Sequence, residues 1–357
     1  MAGRVTKYLP AILVLGFLFA MMNPVRAEVS KNVSVRSIFD NNAFGDVNGE
    51  SDYLTQVTGS LSWWDFGELS EIQYYLSGDG FMFARTGQRT FTVAQGGASY
   101  VRRLGKGRNR IFGGLELGTR IGRSDYQIYD YVGARGYLSL KWYLRSDLMV
   151  RTGYTLRKRN YHQLNASGFS DHSVFVQVNR FFPSRTTLRG DLGFGYKSHD
   201  GSEGQIVLGI QAAQSLTVNT GMSLRYQARM NTHAVKGADA VLFDDADLLN
   251  DRYDYGGHEL TARLTRQLPL RMRLVMEGGY EIRNYEEGTS QEILGLITET
   301  GLLRRDKNST VSFALEKPLG QRIQSRILYG FQKNSSNDIF YDYTSRHSLS
   351  IDFEVGF

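Results

Sequence analysis

From about Val33 to the end of the chain, apolar and polar side chains alternate in runs of roughly ten residues, each closed by a turn. A period of two is the mark of a strand with one apolar and one polar face. The last run shows it best. Leu349, Ile351, Phe353, Val355 and Phe357 share one face, while Arg346, Ser348, Ser350, Asp352 and Glu354 share the other. Before it, Ile323, Ile327, Tyr329 and Phe331 oppose Arg322, Gln324 and Arg326. Met272, Leu274, Met276, Tyr280 and Ile282 alternate with Arg271, Arg273, Glu277, Glu281 and Arg283; Met222, Leu224, Tyr226 and Met230 alternate with Ser223, Arg225, Gln227 and Arg229.

The connections alternate too, between short and long. Short ones fall near Asp65-Phe66-Gly67, Gly105-Lys106-Gly107, Arg145-Ser146-Asp147, Pro183-Ser184, Val218-Asn219, Pro269 and Pro318-Leu319-Gly320. Longer polar ones fall around 45–52, 84–90, 123–131, 160–171, 198–204, 231–254, 284–307 and 332–344. Together they predict about sixteen strands, with fourteen to eighteen allowed because 231–254 and 284–307 could each hide or lose one.

Charge decides what the two faces meet. Nearly every run carries arginines on its polar face, and burying them in a packed sandwich core would cost several kcal/mol per unpaired ion. An apolar outside against lipid and a polar inside against water avoids that cost. The expectation is therefore an all-β fold, a closed antiparallel transmembrane β-barrel. Trp63, Trp64, Tyr74, Tyr75, Tyr143, Phe181 and Phe182, near run ends, suit its interfacial girdles. A large secreted sandwich or solenoid is the competing reading, since those folds alternate as well.

Composition agrees. The 357 residues hold 39 Gly, 21 Tyr and 20 Phe against 5 Pro, which favours strands and tight turns. There is no cysteine, which excludes disulfide scaffolds, thiolate metal sites and a lipid anchor on sulfur. Past residue 27, no stretch approaches the roughly 20 apolar residues of a membrane helix. Residues 1–27 themselves read as a cleaved signal peptide: Arg4 and Lys7, an apolar core from Leu9 to Met22, then Val25 and Ala27 before cleavage at Glu28. Residues 28–357 then form a single domain. Cleavage removes Arg4, Lys7 and Arg26 and halves the formal charge of +6, leaving no argument for nucleic-acid binding.

These features resemble Gram-negative outer-membrane β-barrels of porin-like size, without pointing to a subfamily. The closing pattern Phe353, Val355 and Phe357 resembles the C-terminal motif of that family, which implies recognition by the barrel-assembly machinery and a location in outer-membrane lipid. Sixteen strands is similar to general porins and to polysaccharide-export barrels. The connection 123–131 is short, so the inward-folded third loop by which general porins narrow their pore does not carry over.

Parity along the runs places Arg120, Lys141, Arg151, Arg157, Arg189, Lys197, Arg225, Arg229, Arg263, Arg271, Arg273, Arg283, Arg322, Arg326 and Arg346 inward as candidate pore-lining cations. With them come Glu116, Asp191, Glu259, Glu277, Glu281, Glu316, Asp352 and Glu354, an excess of base that would favour anions. The alternative is that these groups pair across strands and only stiffen the wall. Asp239, Asp244, Asp245, Asp247 and Asp251 fit no EF-hand spacing and read as a solvated acidic loop. The run Ile293-Leu294-Gly295-Leu296-Ile297 reads as a pore plug, a partner contact or a strand extended above the membrane.

No enzyme or cofactor signature emerges. His172-Ser173 and His347-Ser348 are adjacent strand residues and point to opposite faces, so neither pair can be base and nucleophile. The six histidines, His162, His172, His199, His233, His258 and His347, lie mostly at predicted loop ends without metal spacing. The function expected is passive diffusion of small hydrophilic or anionic solutes. The alternative is the barrel of an export or electron-conduit complex, for polysaccharide or protein secretion or as a cytochrome sheath. Such a barrel would work with a separate periplasmic partner, because no helical repeat domain is expected before the first strand. A third reading is a structural or adhesive surface protein with a closed lumen, and a homotrimer stays open.

Overall fold

The computed structural model describes residues 28–43, 45–105, 107–164, 168–198, 202–233, 253–293 and 296–357. The signal-peptide segment and the acidic cluster from Asp239 to Asp251 lie outside the described residues. Sixteen strands follow one another: β1 (Glu28–Asp40), β2 (Asp52–Phe66), β3 (Ser70–Phe83), β4 (Phe91–Arg103), β5 (Arg110–Gly122), β6 (Tyr131–Arg145), β7 (Leu148–Tyr161) and β8 (Phe169–Phe181). The second eight are β9 (Thr186–Ser198), β10 (Ser202–Thr217), β11 (Thr220–His233), β12 (Tyr255–Gln267), β13 (Arg273–Ile293), β14 (Leu296–Pro318), β15 (Ile323–Ser336) and β16 (Tyr343–Gly356). Each pairs antiparallel with its neighbours in sequence, and β1 pairs with β16 to close the barrel.

Residues opposite one another across a ladder share a face, so the register sorts the wall into rows. One row runs Arg36, Asp352, Arg326, Glu316, Arg273 from β1 back through β16 to β13. The row beside it runs Ser37, Ile351, Ile327, Leu315, Leu274. Tyr253 tells which row is inside. It precedes β12 and is 1% exposed, yet its hydroxyl donates to Asp171 Oδ1 on β8 at 2.6 Å. A bond that skips β9, β10 and β11 of a closed wall has to cross the interior. It lands on the polar face, so that face is concave. The apolar face is the outside, with Leu115 72% and Ile210 65% exposed. An outer surface of that kind is satisfied by hydrocarbon, and a closed ladder leaves no strand edge unpaired within it.

Two expectations are corrected. The connection 284–307 is no long loop: β13 runs to Ile293 and β14 starts at Leu296, with register irregularities between Asn284 and Ser290. Pairing with β12 ends at Tyr255–Tyr285 and with β15 at Asp306–Ser336, so the ribbon beyond rises above both neighbours. A two-stranded ribbon without flanking strands has water on both faces and need not alternate, so the sequence leaves the extended strand as one of three readings, and it is the one observed. Of the run Ile293–Ile297, residues 294 and 295 lie outside the described residues. Second, the girdle aromatics divide between the faces. Trp63 and Tyr74 stack outside at 5.5 Å, but Trp64 pairs with Gln73 and Tyr75 with Gly97 on the inside, where Tyr143 also lies. Neighbours in a strand cannot share a face.

Inward glycines act as slots for rings. Tyr75 lies over Gly97, Tyr137 over Gly114, Phe175 over Gly153 and Tyr253 over Gly195, each where a Cβ would collide with the ring. Aromatic cover of a glycine restores the packing that the missing side chain gave up.

Candidate functional site

The inner wall is the candidate site, and the ladders assign its members. Arg120, Lys141, Arg151, Arg157, Arg189, Lys197, Arg225, Arg229, Arg263, Arg273, Arg283, Arg326 and Arg346 fall on inner rows. Glu116, Asp191, Glu259, Glu277, Glu281, Glu316, Asp352 and Glu354 share those rows. Arg271 and Arg322 sit in turns, where strand parity no longer assigns a face: Arg271 ends the 3-10 turn Pro269–Arg271 with φ 60°, and Arg322 precedes β15.

The inner rows also hold Arg36, Arg135, Arg159 and Arg304, and the acids Asp40, Asp79, Asp171, Glu203 and Asp306, which sequence reasoning passed over. The reason is local. In Arg157-Lys158-Arg159 charge occupies both faces, Asp40 and Asp171 sit near strand ends where alternation fades, and Asp306 sits where the β15 ladder ends. The added acids narrow the basic excess.

Around Tyr253 the wall closes inward. Asp171 accepts from Tyr253 and, at 3.3 Å, from Arg157. The Phe169 ring lies 5.0 Å from the Arg157 guanidinium and 4.8 Å from Lys197 Nζ, and Tyr131 lies 3.9 Å from that of Arg159. The Gln205 amide donates to Asn231 Oδ1 and to the Tyr255 carbonyl, both at 3.0 Å, while Asn231 Nδ2 donates to the Tyr253 carbonyl at 3.0 Å. These bonds hold the segment before β12 and the start of that strand against β8, β10 and β11.

Next to it lies an arginine–tyrosine network. Arg229 donates to Glu281 at 2.6 Å, to Glu259 at 3.2 Å and to the Tyr255 hydroxyl at 2.9 Å. Arg283 donates to the other Glu281 oxygen at 2.8 Å and lies 4.9 Å over the Tyr255 ring. Arg304 grips Asp306 through two bonds, 3.1 and 2.6 Å, with Tyr341 3.3 Å and Tyr285 4.2 Å from its guanidinium. Arg346 grips Asp40 likewise, at 3.0 and 2.7 Å. Charge here is compensated locally, so its reach into the lumen is short.

Two inner arginines differ. Arg151 hydrogen-bonds Ser139 Oγ at 3.3 Å and Arg225 hydrogen-bonds Gln227 Oε1 at 2.7 Å, both neutral acceptors. Their charge is not cancelled by those bonds. Towards the short turns, Arg36–Asp352 at 2.9 Å and Glu316 with Arg326 at 3.7 Å and Arg273 at 2.6 Å line a hollow of about 440 Å³ with Gln56 and Thr58. On β2 to β4 the lining turns neutral: Thr58 Oγ1 donates to Asp79 at 2.5 Å, Gln56 to Asp79 at 3.1 Å, and Gln73 bridges Ser62 and Ser99 at 3.4 Å each.

At the loop-end mouth, the short connection after β5 forms a 3-10 turn, Ser124–Tyr129, that brings Tyr129 within 5.4 Å of the Arg120 guanidinium. Phe91 takes the same cation at 4.1 Å. Asp52, where β2 leaves its loop, latches the β3–β4 connection: it accepts from the Arg85 and Thr86 amides at 2.9 and 3.2 Å and from the Thr86 hydroxyl at 2.5 Å. Burial pushes its carboxyl up, but the Thr86 hydroxyl and the Arg85, Tyr53 and Thr86 amides outweigh that and hold it below the ordinary value. Phe353 and Val355 face outward on β16, and the Phe357 amide donates to the Lys31 carbonyl at 2.8 Å.

No protein-family model matches the sequence, and no curated protein matches it either. Solved structures do resemble its fold. Acinetobacter baumannii OccAB1 superposes with TM-score 0.56 at 10% identity over 93% of this chain and 97% of that one. A bacterial polysaccharide outer-membrane secretin gives 0.53 at 13% over 92% and 97%. A BenF-like porin from Pseudomonas fluorescens Pf-5 gives 0.52 at 9% over 93% and 99%. The chain has the closed sixteen-strand fold of outer-membrane porins, with sequence too distant to name a subfamily.

Proposed function

We propose that this barrel sits in an outer membrane and passes small hydrophilic solutes by diffusion, favouring anions. The carrying observation is the enclosed polar wall: charged rows inside a closed ladder, apolar rows outside. The inner cations from Arg120 to Arg326 are the lining in this reading, with Arg151 and Arg225 as the selectivity carriers because their hydrogen bonds leave the charge uncancelled. Phe353, Val355 and Phe357 serve as the assembly signal.

Planar-bilayer recordings in a salt gradient test this. Discrete conductance steps with an anion-selective reversal potential are expected, and R151Q/R225Q should lower the anion-to-cation ratio by about twofold to fivefold. Absence of steps sinks the open pore; unchanged selectivity in the double variant removes those two arginines from the role. The fold likeness to a polysaccharide secretin, with arginines lying on aromatic rings along β4 to β8, favours one second reading: an export barrel working with a separate periplasmic partner. Block of the current by an anionic polysaccharide from the short-turn side would support it.

A further inference from the structure

The outer face carries a recurring device that the channel reading leaves unused. His172, His258 and His347 each take a tyrosine hydroxyl at Nδ1: Tyr154 at 2.7 Å, Tyr226 at 2.8 Å and Tyr329 at 2.8 Å. The local sequence is the same each time. A histidine stands two residues before an aliphatic (His172-Ser173-Val174, His258-Glu259-Leu260, His347-Ser348-Leu349), and the tyrosine is the aliphatic's ladder partner on the preceding strand. The pairs fall on β8, β12 and β16, four strands apart, each near the loop end of its strand. They mark the upper border of the apolar band.

Every pair has a lysine on the same outer face at its level or nearer the mouth. Lys158 follows Leu156, the ladder partner of His172; Lys307 lies in the row His258–Ile282–Lys307; Lys333 follows Phe331, the partner of His347. Strand spacing near 4.8 Å puts each lysine within roughly 10 Å of its histidine. Among the described residues of β7, β8, β11, β12, β15 and β16, the outward loop-end strand positions carry Lys158 and Lys333 and no carboxylate, while at the His258 pair Lys307 and Arg305 stand near the exposed Glu286 of β13. With the tyrosine hydroxyl as donor, Nδ1 accepts and the imidazole proton is assigned to Nε2. Each pair thus offers an oriented N–H donor with a cation beside it, at the depth where headgroups meet hydrocarbon.

We propose that the three Tyr–His pairs are docking sites for the phosphate-bearing headgroups of anionic lipids in the leaflet on the loop side. The assignment rests on the barrel spanning a bilayer, as in the proposed function. Nε2 donates to a phosphate oxygen, the neighbouring lysine supplies the counter-charge, and the acyl chains run down the apolar rows below Val174, Leu260 and Leu349. A binding site of this kind fixes the height of the barrel at three points around its wall.

Native mass spectrometry of the full chain, released from neutral detergent after incubation with phosphatidylglycerol or phosphatidylcholine, tests it. The wild type is expected to retain phosphatidylglycerol over phosphatidylcholine by about tenfold, and H172L/H258L/H347L to bring the two near parity. K158Q/K307Q/K333Q, which leaves the pairs intact, should lose about half of the preference in logarithmic terms. Heat-modifiable gel mobility reports folding, and single histidine variants replace the triple one should it misfold. Equal retention of both lipids by the wild type, or undiminished preference in either folded variant, overturns the proposal. So does release of phosphatidylglycerol by millimolar inorganic phosphate, which would make free phosphate the ligand. Failure of the wild type to enter vesicles of either lipid overturns the membrane reading instead, a separately visible result.

Discussion

The inner wall has two arcs of different chemistry. From β2 to β4 it is lined by hydroxyls and amides, Thr58, Ser60, Ser62, Gln73, Ser77, Gln95 and Ser99, with the Asp79 carboxylate accepting from Thr58 and Gln56. From β5 round through β16 to β1 it is lined by guanidinium groups and carboxylates. Both arcs obey the same alternation, so parity alone treats them as one surface. They differ in what holds them. Apart from those to Asp79, the bonds of the first are neutral, each worth on the order of 1 kcal/mol and readily traded for water. The second is a compensated charge lattice in which removing one partner strands the other. A solute would meet a compliant side and a rigid one, with the field concentrated on the latter.

The sharpest test of that contrast is Asp306→Ala. It leaves the buried Arg304 guanidinium between Tyr285 and Tyr341 without its carboxylate, and should cost about 3–5 kcal/mol of stability, read from urea unfolding in vesicles. A loss under about 1 kcal/mol would dissolve the distinction between the arcs. Tyr253→Phe ranks next, at about 1–3 kcal/mol, because Asp171 loses a short bond inside the wall. The same variant should raise single-channel conductance if the Tyr253 segment narrows the lumen. On the compliant arc, Ser62→Ala, which removes a neutral bond to Gln73, should cost only about 0.5–1.5 kcal/mol. A value matching that of Asp306→Ala would mean the neutral net is as unforgiving as the charged one.

The smallest effect concerns Asp52 and acid. Its carboxyl titrates below the ordinary 3.8, so the stability it contributes is complete above that value and is lost as pH falls through the lower folded value. Unfolding midpoints of the wild type and Asp52→Asn should therefore differ at neutral pH and converge in strong acid. A gap that persists unchanged in acid would show that the carboxylate is not what latches the β3–β4 connection.

Much of this was legible before any coordinates. Alternation fixes which residues share a face, because a wall between lipid and water cannot tolerate a slipped register, and short and long turns bring the strand count to about sixteen. What stayed hidden is of three kinds. Contacts across the lumen, such as Tyr253 with Asp171, join residues 82 positions apart and leave no periodic trace. The extent of the β13–β14 ribbon escapes, although an extended strand is among the readings of its apolar run, because nothing flanks it. The inner cations are legible as residues, with pairing across strands one of two readings, but not which of them pair: Arg229 is cancelled by Glu281 two strands away, while Arg225 donates to neutral Gln227 on its own strand.

The seam between β1 and β16 has a consequence for how the wall comes to exist. Arg36 binds Asp352 across 316 residues of sequence, and Arg346 binds Asp40 across 306. Loop-closure entropy rises only slowly with length, but every native pairing at this seam waits until fifteen other ladders can hold the two strands near each other. Until then the growing sheet exposes two free edges, each a template for pairing with another chain. Assembly is thus a race between joining its own ends and joining a stranger, and nothing short of the full circle satisfies every backbone donor. The ion pairs of the seam are made last and lock the ring.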